Sequence, residues 1–312
     1  MNFKRLAFAI MAILLIAIPI YANGSTESTL PAEGNTYIDD LGREVAIESP
    51  ERVSIMIGSF ADVWCLAGGR ESIVSAAEDT WTQFDLGLGD DVISIGSVRQ
   101  PNLEKILASN PDLVIASSKT TADLALMDTF EKMGIPVLYF DVSTFEDYLN
   151  MLDICTDITG HKENYEKYGL ALRDEIEAAR AMQDGTQPRV LYIRASSSGV
   201  RVKNSEKSIL GVMLKDLGCI NIADSNSQLL ENLSMETIIK EDPDWIFGVL
   251  QSSTPEKAQA ALEKALLSNP AWEGLTAVKE GRFIMLPQDL YNMKPNARWA
   301  ESYTRLARIL YE

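Results

Sequence analysis

Short apolar runs alternate with helical patterns along most of the chain. Each run is bounded by glycine, proline or charged residues, as buried strands are, and the segments between the runs keep apolar residues at helical spacing. Strands that alternate with helices favour parallel sheets covered on both faces, so the pattern predicts an α/β fold. The predicted strands are 53–57, 92–95, 113–116, 137–140, 190–193, 245–250 and 283–286, and the clearest predicted helices are 61–66, 103–108, 122–132, 209–217 and 255–267.

The first 36 residues lack this alternation and divide into two parts. Lys4 and Arg5 precede an apolar run at 6–20, and small residues follow, which is typical of a secretory signal. The run has 15 residues, fewer than the roughly 20 that span a membrane. We predict a signal peptide at 1–22 and a flexible tether at 23–36, with an uncleaved anchor as the alternative. No cysteine lies near the end of the run, so we expect release into the periplasm without a lipid anchor or stable membrane insertion.

The two halves of the folded region share a sequence motif. A glutamate followed by Pro-Asp and then a strand occurs at 104–112 and again at 236–244, an offset of 132 residues. Each half also opens with an Arg-Val strand, at 52–53 and at 189–190, and a predicted hairpin at 37–47 precedes the first of them. Two lobes of similar build follow from this repetition. Two unrelated α/β domains are the alternative.

The segment between the halves contains helical patterns but no strand pattern. We predict an N-terminal lobe at 37–143, a helical connector at 144–186, broken at Gly160, and a C-terminal lobe at 187–312. Within the connector, 161–183 keeps one apolar face, and its 23 residues extend about 35 Å if they are fully helical. A helix of that length acts as a strut and limits how far the lobes close on each other.

The chain after the signal segment is strongly acidic. Removing Lys4 and Arg5 leaves 26 basic and 45 acidic residues, a net charge of −19. Such a charge repels nucleic acid and anionic lipid, and we expect neither as a partner. Cys65, Cys155 and Cys219 lie among apolar neighbours, so we predict buried free thiols, with one disulfide between two of them as the alternative.

Composition and motifs argue against two classes of function. Bare zinc or manganese needs clustered histidines and carboxylates, and His161 is the only histidine in the sequence. We therefore expect no protein-bound metal, and any metal should arrive inside a chelator or a haem. The sequence has no glycine-rich phosphate loop and no Gly-x-Ser-x-Gly elbow, and one histidine poorly supports a Ser-His-Asp triad. We predict a binding protein rather than an enzyme.

Seven short motifs follow one another in a fixed order. They are Tyr37-Ile-Asp-Asp-Leu-Gly-Arg-Glu-Val, Pro50-Glu-Arg-Val-Ser-Ile, Pro101-Asn-Leu-Glu-Lys-Ile, Pro111-Asp-Leu-Val-Ile, Ser234-Met-Glu-Thr-Ile-Ile, Pro243-Asp-Trp-Ile and Lys294-Pro-Asn-Ala-Arg-Trp. In this order and spacing the chain resembles the periplasmic binding proteins for ferric siderophores, haem and cobalamin. The resemblance implies two Rossmann-like α/β lobes with central, mostly parallel sheets, joined by a long rigid α-helix, with the ligand in the cleft between them.

The same resemblance implies an extracytoplasmic solute-binding protein of an ABC importer. The expected ligand is a metal chelate, foremost a ferric siderophore, with haem or cobalamin as the alternative, and no resident cofactor is expected. The expected partners are the permease dimer and its ATPase, and the protein itself is expected to be a monomer. A sensory receptor is a second alternative, which the genes encoded beside this protein would distinguish.

The resemblance also assigns one exposed glutamate on each lobe to docking against arginines of the permease. By position in the repeat these are Glu104 and Glu236. Each follows a helix-capping residue, Asn102 or Ser234, so the alternative is stabilisation of a helix N-terminus, which contributes only about 0.3–1 kcal/mol. Because the glutamate occurs in two lobes that otherwise share little sequence, docking is the preferred interpretation.

Ligand-binding residues are expected in loops at the carboxyl ends of the strands, where open α/β sheets form crevices. Basic side chains there balance an anionic chelate, and aromatic side chains stack on a flat ligand. The alternative for each is that the basic residue is solvated or that the aromatic residue packs. The candidates are Ser59, Phe60, Trp81, Arg99, Lys119, Arg194, Arg201, Tyr291 and Lys294, with Asn226, Gln251 and the rest of the segments 194–201 and 288–294 as further positions.

Overall fold

The computed structural model describes residues 35–206, 208–251 and 254–312. The predicted signal peptide and most of the predicted tether lie outside these ranges. Asn35 and Thr36 correct the end of the tether, because they already belong to the first strand of the predicted hairpin.

A parallel sheet with helices on both faces forms the N-terminal lobe. Its central strands are buried on both faces, which explains why they read as continuous apolar runs. The strands are β1 (Asn35–Ile38), β2 (Glu44–Ile47), β3 (Val53–Ile55), β4 (Ile73–Ala76), β5 (Ile93–Ser94), β6 (Gly96–Ser97), β7 (Gln100–Pro101), β8 (Leu113–Ser117) and β9 (Val137–Phe140). The helices are α1 (Gly58–Leu66), α2 (Asp79–Gln83), α3 (Leu103–Ala108), α4 (Thr121–Leu124) and α5 (Met127–Lys132), with a 3-10 turn at Arg70–Ser72. The parallel sheet has the order β5-β4-β3-β8-β9, while β1-β2 and β6-β7 are separate antiparallel pairs.

A helical connector follows, but it is not one long helix. It consists of α6 (Phe145–Thr159), α7 (Lys162–Tyr168), a 3-10 turn at Leu170–Leu172 and α8 (Arg173–Arg180). The predicted break at Gly160 is confirmed, since its φ of +75° ends α6. The predicted continuous helix at 161–183 is wrong, because Gly169 has non-helical backbone angles of φ −118° and ψ −83°. A Cβ atom there would lie 2.6 Å from the carbonyl oxygen of Tyr165 and 2.8 Å from Leu149, so this close packing requires glycine and bends the strut.

The C-terminal lobe contains a second, mostly parallel sheet. Its strands are β10 (Arg189–Ser196), β11 (Gly199–Lys203), β12 (Ile220–Asn221), β13 (Trp245–Leu250) and β14 (Phe283–Leu286). Its helices are α9 (Ile209–Asp216), α10 (Ser227–Glu231), α11 (Met235–Glu241), α12 (Pro255–Leu262), α13 (Thr276–Lys279), α14 (Gln288–Tyr291) and α15 (Trp299–Tyr311), with a π turn at Glu263–Leu267 and 3-10 turns at Pro270–Gly274 and Asn296–Arg298. The order is β11-β10-β13-β14, with β12 beside the start of β10, and only β11 runs antiparallel to its neighbour.

The internal repeat makes the same contacts in both lobes. Asp112 accepts hydrogen bonds from the backbone amides of Glu51 and Arg52, both at 2.9 Å, and its own amide donates to the carbonyl oxygen of Arg52. Asp244 accepts from the amide of Arg189 at 2.7 Å and donates its amide to the carbonyl oxygen of Arg189. In each lobe the Pro-Asp aspartate therefore fastens the Arg-Val strand to its neighbour.

One buried apolar cluster extends from the N-terminal sheet through the connector into the C-terminal lobe. It includes Phe140 of β9, Tyr148 of α6, Ile176 of α8, Tyr192 of β10 and Tyr303 of α15. Two further clusters cover the other face of each sheet. Because the first cluster is continuous, separating the lobes would expose apolar surface to water. Within the described part of the chain, no helix is long and apolar enough to cross a membrane.

Candidate functional site

A pocket of about 180 Å³ lies between the two lobes, at the carboxyl ends of their strands. The segments after β8 and β9 form its N-terminal side. The end of β10, the start of α9 and the segment after α14 form its C-terminal side. Larger cavities of about 280, 360 and 470 Å³ occur beside Trp64, Asp112 and Arg43, but they involve the N-terminal lobe and the connector alone. The interlobe pocket is the candidate site because it lies at the strand ends where α/β folds bind ligands.

The N-terminal side of the pocket carries an ion pair. Lys119 Nζ lies 2.9 Å from Asp141 Oδ2, and this hydrogen bond raises the pKa of Lys119. Asp141 is held in place because Ser143 Oγ donates to its Oδ1 at 3.2 Å and its own amide donates to Asp40 Oδ2 at 2.6 Å. The Lys119 side chain is 70% exposed. An ion pair so exposed contributes little to stability, so the ammonium group remains available to a ligand.

The C-terminal side presents a tyrosine and an arginine from one face of β10. Tyr192 and Arg194 share that face because they are two residues apart. Arg194 Nη1 donates to Asn292 Oδ1 at 3.2 Å. Arg201 lies directly opposite Arg194 in the antiparallel register of β10 and β11. Like charges opposite one another destabilise a sheet unless an anion balances them.

The segment after α14 brings a lysine from the C-terminal lobe toward the N-terminal lobe. Lys294 Nζ lies 5.5 Å from the centre of the Phe60 ring, in a cation–π contact. Burial lowers the pKa of Lys294, while the negative charges of Asp141 and Asp79 act in the opposite direction. The ammonium group is thus partly desolvated, which strengthens its interaction with an anion that enters the pocket.

Two side chains near Lys294 in the sequence, Gln288 and Asn296, make hydrogen bonds that join the lobes. Asn296 Nδ2 donates to the carbonyl oxygen of Ser59 and to Asp62 Oδ2, both at 2.8 Å. Asn296 is buried and has a left-handed φ of +50°, a conformation that asparagine tolerates better than most residues. Gln288 Nε2 donates to Gln83 Oε1 at 3.0 Å. All three bonds cross from the C-terminal to the N-terminal lobe.

Helix α9 begins at the wall of the pocket. Ser208, which precedes the helix, and Ile209, its first residue, both line the cavity. The hydroxyl of Ser208 donates to the carbonyl oxygen of Asn204 at 3.1 Å and does not cap α9. The positive end of the helix dipole therefore adjoins the pocket without a side-chain cap, an arrangement that favours an anion.

Positive charge predominates in the pocket although the protein is acidic. Lys119, Arg194 and Lys294 line it together with one carboxylate, Asp141, whereas the whole chain has a net charge of −17. Local positive charge of this kind attracts anionic ligands. Across the described residues, no group of three or more His, Cys, Asp and Glu side chains is placed to hold a metal ion.

A family model for periplasmic binding proteins matches residues 58–290. The chain belongs to the periplasmic binding protein family. The Fe(3+)-citrate-binding protein YfmC of Bacillus subtilis is 25% identical to it over 305 residues, which cover 93% of this chain and 92% of that protein. The vitamin B12-binding protein of Vibrio parahaemolyticus is 22% identical over 231 residues, covering 73% of this chain and 82% of that protein.

A solved structure agrees with the architecture of this periplasmic binding protein. S. aureus IsdE, complexed with heme, aligns with a TM-score of 0.70 at 18% sequence identity, covering 84% of this chain and 99% of that chain. The likeness confirms the predicted two-lobed α/β fold. Membership in a family of binding proteins also confirms that this chain is not an enzyme.

Four predicted ligand residues of this binding protein line the pocket. They are Lys119, Arg194, Tyr291 and Lys294. Tyr291 is fully buried, and its hydroxyl donates to the carbonyl oxygen of Ser302 at 3.0 Å, so this side chain shapes the wall. Direct contact of these residues with a ligand stays a prediction.

Ser59 and Phe60 lie at the start of α1, away from the solvent. Both are buried, and Phe60 packs edge-on against Phe140 with ring centres 6.1 Å apart. The Phe60 ring has no exposed face in this structure, and its stacking on a ligand stays a prediction. The carbonyl oxygen of Ser59 accepts a hydrogen bond from Asn296 Nδ2.

The remaining predicted ligand residues lie outside the pocket lining. Trp81 is 42% exposed on α2, Arg99 is exposed in the turn between β6 and β7, and Arg201 is exposed on β11. Asn226 precedes α10, and Gln251 follows β13. A role for any of them at the rim of the cleft stays a prediction.

Asn292, within the predicted segment 288–294, also lines the pocket, together with Asp141, Tyr192 and Ser208, which were not among the predicted residues. Asp141 carried a usable signal, since it is the polar residue directly after the predicted strand that ends at Phe140. Nothing in the sequence marked Tyr192 as a pocket residue, because a tyrosine within an apolar strand is typical of a packed core.

The two predicted docking glutamates occupy equivalent positions. Glu104 in α3 and Glu236 in α11 are both exposed in the first turn of their helices. The predicted caps are confirmed: Asn102 accepts from the amide of Lys105 at 3.0 Å, and Ser234 accepts from the amide of Thr237 at 3.2 Å. Docking itself stays a prediction.

Proposed function

We propose that this protein captures an anionic metal chelate, foremost a ferric siderophore with carboxylate groups, and delivers it to the permease of an ABC importer. The observation that carries the proposal is the convergence of Lys119, Arg194 and Lys294 from both lobes in an otherwise acidic protein. Lysine and arginine form charge-assisted hydrogen bonds with carboxylates. The similarity to a protein named for Fe(3+)-citrate supports the same ligand class.

Ligand titration tests the proposal directly. The intrinsic tryptophan fluorescence of the purified protein is recorded against ferric citrate, a ferric hydroxamate, a ferric catecholate, haem and cobalamin, with absorbance corrections. We expect saturable quenching by the ferric carboxylate at micromolar or lower concentration, and weaker binding as salt is raised. Saturable binding of haem or cobalamin alone would contradict the proposed ligand class, and silence toward every chelate would contradict the proposed function.

We further propose that Glu104 and Glu236 dock the loaded protein on the permease dimer. Both lie in the first turn of a short helix, two residues after the capping residue, at equivalent positions of the internal repeat. Their exposure leaves the carboxylates accessible to arginines of a partner.

The paired substitution Glu104→Ala with Glu236→Ala tests docking. We expect unchanged affinity for ferric citrate and loss of stimulation of the transporter's ATPase in proteoliposomes. The matched control is Asp128→Ala with Glu256→Ala, which removes two exposed first-turn carboxylates from α5 and α12. Equal loss in both pairs would assign the effect to helix stability, and loss of chelate binding would place the glutamates in the binding site.

Release into the periplasm and a monomeric state belong to the same proposal. The family of the chain supports a periplasmic location. N-terminal sequencing of the protein from a periplasmic extract, together with light scattering, tests both statements. A retained leader would overturn release into the periplasm, and a stable dimer would overturn the monomeric state.

A further inference from the structure

Tyr192 is the most unusual polar group in the pocket. Its side chain is fully buried, and burial raises the pKa of the hydroxyl to about 12, so it is a neutral donor at physiological pH. The hydroxyl has no hydrogen-bond partner in the part of the chain that the structure describes. A buried hydroxyl without a partner costs about 1–3 kcal/mol. Phenylalanine would fill the same space without that cost, so the hydroxyl points to a partner from outside the chain.

Two further donors lie beside Tyr192. Arg194 shares its face of β10, and its guanidinium makes one hydrogen bond within the described residues, to Asn292. Helix α9 presents its first turn to the same cavity, and the Ser208 hydroxyl donates to a carbonyl oxygen in place of capping it. A neutral hydroxyl, a guanidinium and a helix N-terminus are all groups that stabilise an anionic oxygen.

We propose that Tyr192, Arg194 and the first turn of α9 form a subsite for one carboxylate of the ligand. This inference rests on the proposed function and deepens it. It assigns the ligand to chelates that keep at least one carboxylate free of the metal, as ferric complexes of hydroxycarboxylic acids do. Tyr192 acts as the specificity-determining donor, because its hydroxyl is satisfied only when such an oxygen is bound.

The substitution Tyr192→Phe separates this role from a structural one. It removes no hydrogen bond within the described protein, so we expect the melting temperature to stay the same or rise. Binding of ferric citrate, measured by calorimetry, should weaken about tenfold or more, because a hydrogen bond to a charged group is lost. Binding of metal-free citrate should weaken by a similar factor.

Tyr148→Phe is the matched control. Tyr148 is also fully buried, but its hydroxyl donates to the carbonyl oxygen of Tyr168 at 2.7 Å and lies outside the pocket lining. We expect this variant to melt at a lower temperature and to bind ferric citrate as the wild type does. The two variants should therefore show opposite patterns of stability and affinity.

Each result decides the matter. Equal ferric citrate affinity in Tyr192→Phe and the wild type overturns the subsite and leaves the proposed function intact. A wild-type protein that binds only cobalamin, which carries amides and no free carboxylate, also overturns it. If the wild type binds no chelate, the proposed function fails. The titration with metal-free citrate still tests the subsite in that case. Tighter citrate binding by the wild type than by Tyr192→Phe supports the subsite, and equal or absent citrate binding overturns the subsite.

Discussion

The stability of the protein should depend on pH through the buried carboxyl of Asp123. Asp123 is fully buried, its Oδ2 accepts from the amide of Ser117 at 2.8 Å, and its Oδ1 has no partner in the described part of the chain. Burial raises its pKa to about 7, with the Ser117 hydrogen bond opposing the shift and the charge of Asp79 adding to it. The perturbation is Asp123→Asn, which keeps the shape and the acceptor but removes the titration.

The sign of the effect follows from proton linkage. A carboxyl whose pKa is raised on folding binds its proton more tightly in the folded state. Its contribution to stability is therefore greatest below the ordinary pKa of 3.8 and is lost as the pH rises to about 7. The slope is about 1.4 kcal/mol per pH unit. Between pH 5 and pH 8 the wild type should lose about 2–3 kcal/mol of unfolding free energy that Asp123→Asn does not lose.

Urea denaturation at pH 5 and pH 8 measures this difference. Burying the amide of asparagine at position 123 lowers the unfolding free energy by an amount that does not depend on pH. We therefore compare, within each protein, the difference in unfolding free energy between pH 5 and pH 8. Asp128→Asn, an exposed substitution on α5, is the control and should follow the wild type. If Asp123→Asn loses as much stability as the wild type between pH 5 and pH 8, the carboxyl does not titrate in that range and the reasoning is refuted.

Two further predictions concern the pocket and the contact between the lobes. Lys119→Ala should weaken ferric citrate binding several-fold at low salt and less at high salt, because an exposed charge is screened; Lys132→Ala, an exposed lysine on α5, should have no effect in the same calorimetric titrations. Asn296→Ala should lower the unfolding free energy by about 2–4 kcal/mol in urea denaturation, because it removes the bonds to Ser59 and to the half-buried Asp62 and places alanine at a left-handed φ. An unchanged midpoint in that variant would show that the bonds do not hold the lobes.

Much of the fold could be predicted because its signals are local. The apolar runs and the repeat depend on residues close in sequence, and caps such as Asn102 and Ser234 act within one turn. The antiparallel strand β11 was missed, since its alternating Val200, Arg201 and Val202 follow a serine-rich turn. The predicted helix at 122–132 divides into α4 and α5, a boundary that no glycine or proline marks.

The bend in the connector could not be predicted, because it depends on a tertiary contact. Residues 161–183 have the apolar spacing of one helix, and glycine within a helix costs only about 1 kcal/mol. The structure shows that Gly169 is needed where the chain passes close to Leu149 of α6. The helical pattern contains no information about this neighbour.

The pocket was predictable only in part for a similar reason. Strand ends locate the crevice, so Lys119, Arg194 and Lys294 could be selected as basic residues near those ends. Which side chains meet depends on how two sheets far apart in sequence are oriented. Tyr192 illustrates the limit, since its neighbours on the chain are those of a core residue and only its missing partner distinguishes it.

The contacts between the lobes bear on how this protein binds. A continuous apolar cluster, the Asn296 bonds and the Gln83–Gln288 bond already join the lobes. Wide opening would break all of these together, so the free energy of ligand binding need not be spent on a large closing movement. The bend at Gly169 does not weaken this conclusion, because the restraint comes from packing along the whole connector. Selectivity must then come from the side chains that already line the pocket. Among them, the Tyr192 hydroxyl gains the most from a ligand, because it has no hydrogen-bond partner among the described residues and a ligand oxygen would supply one.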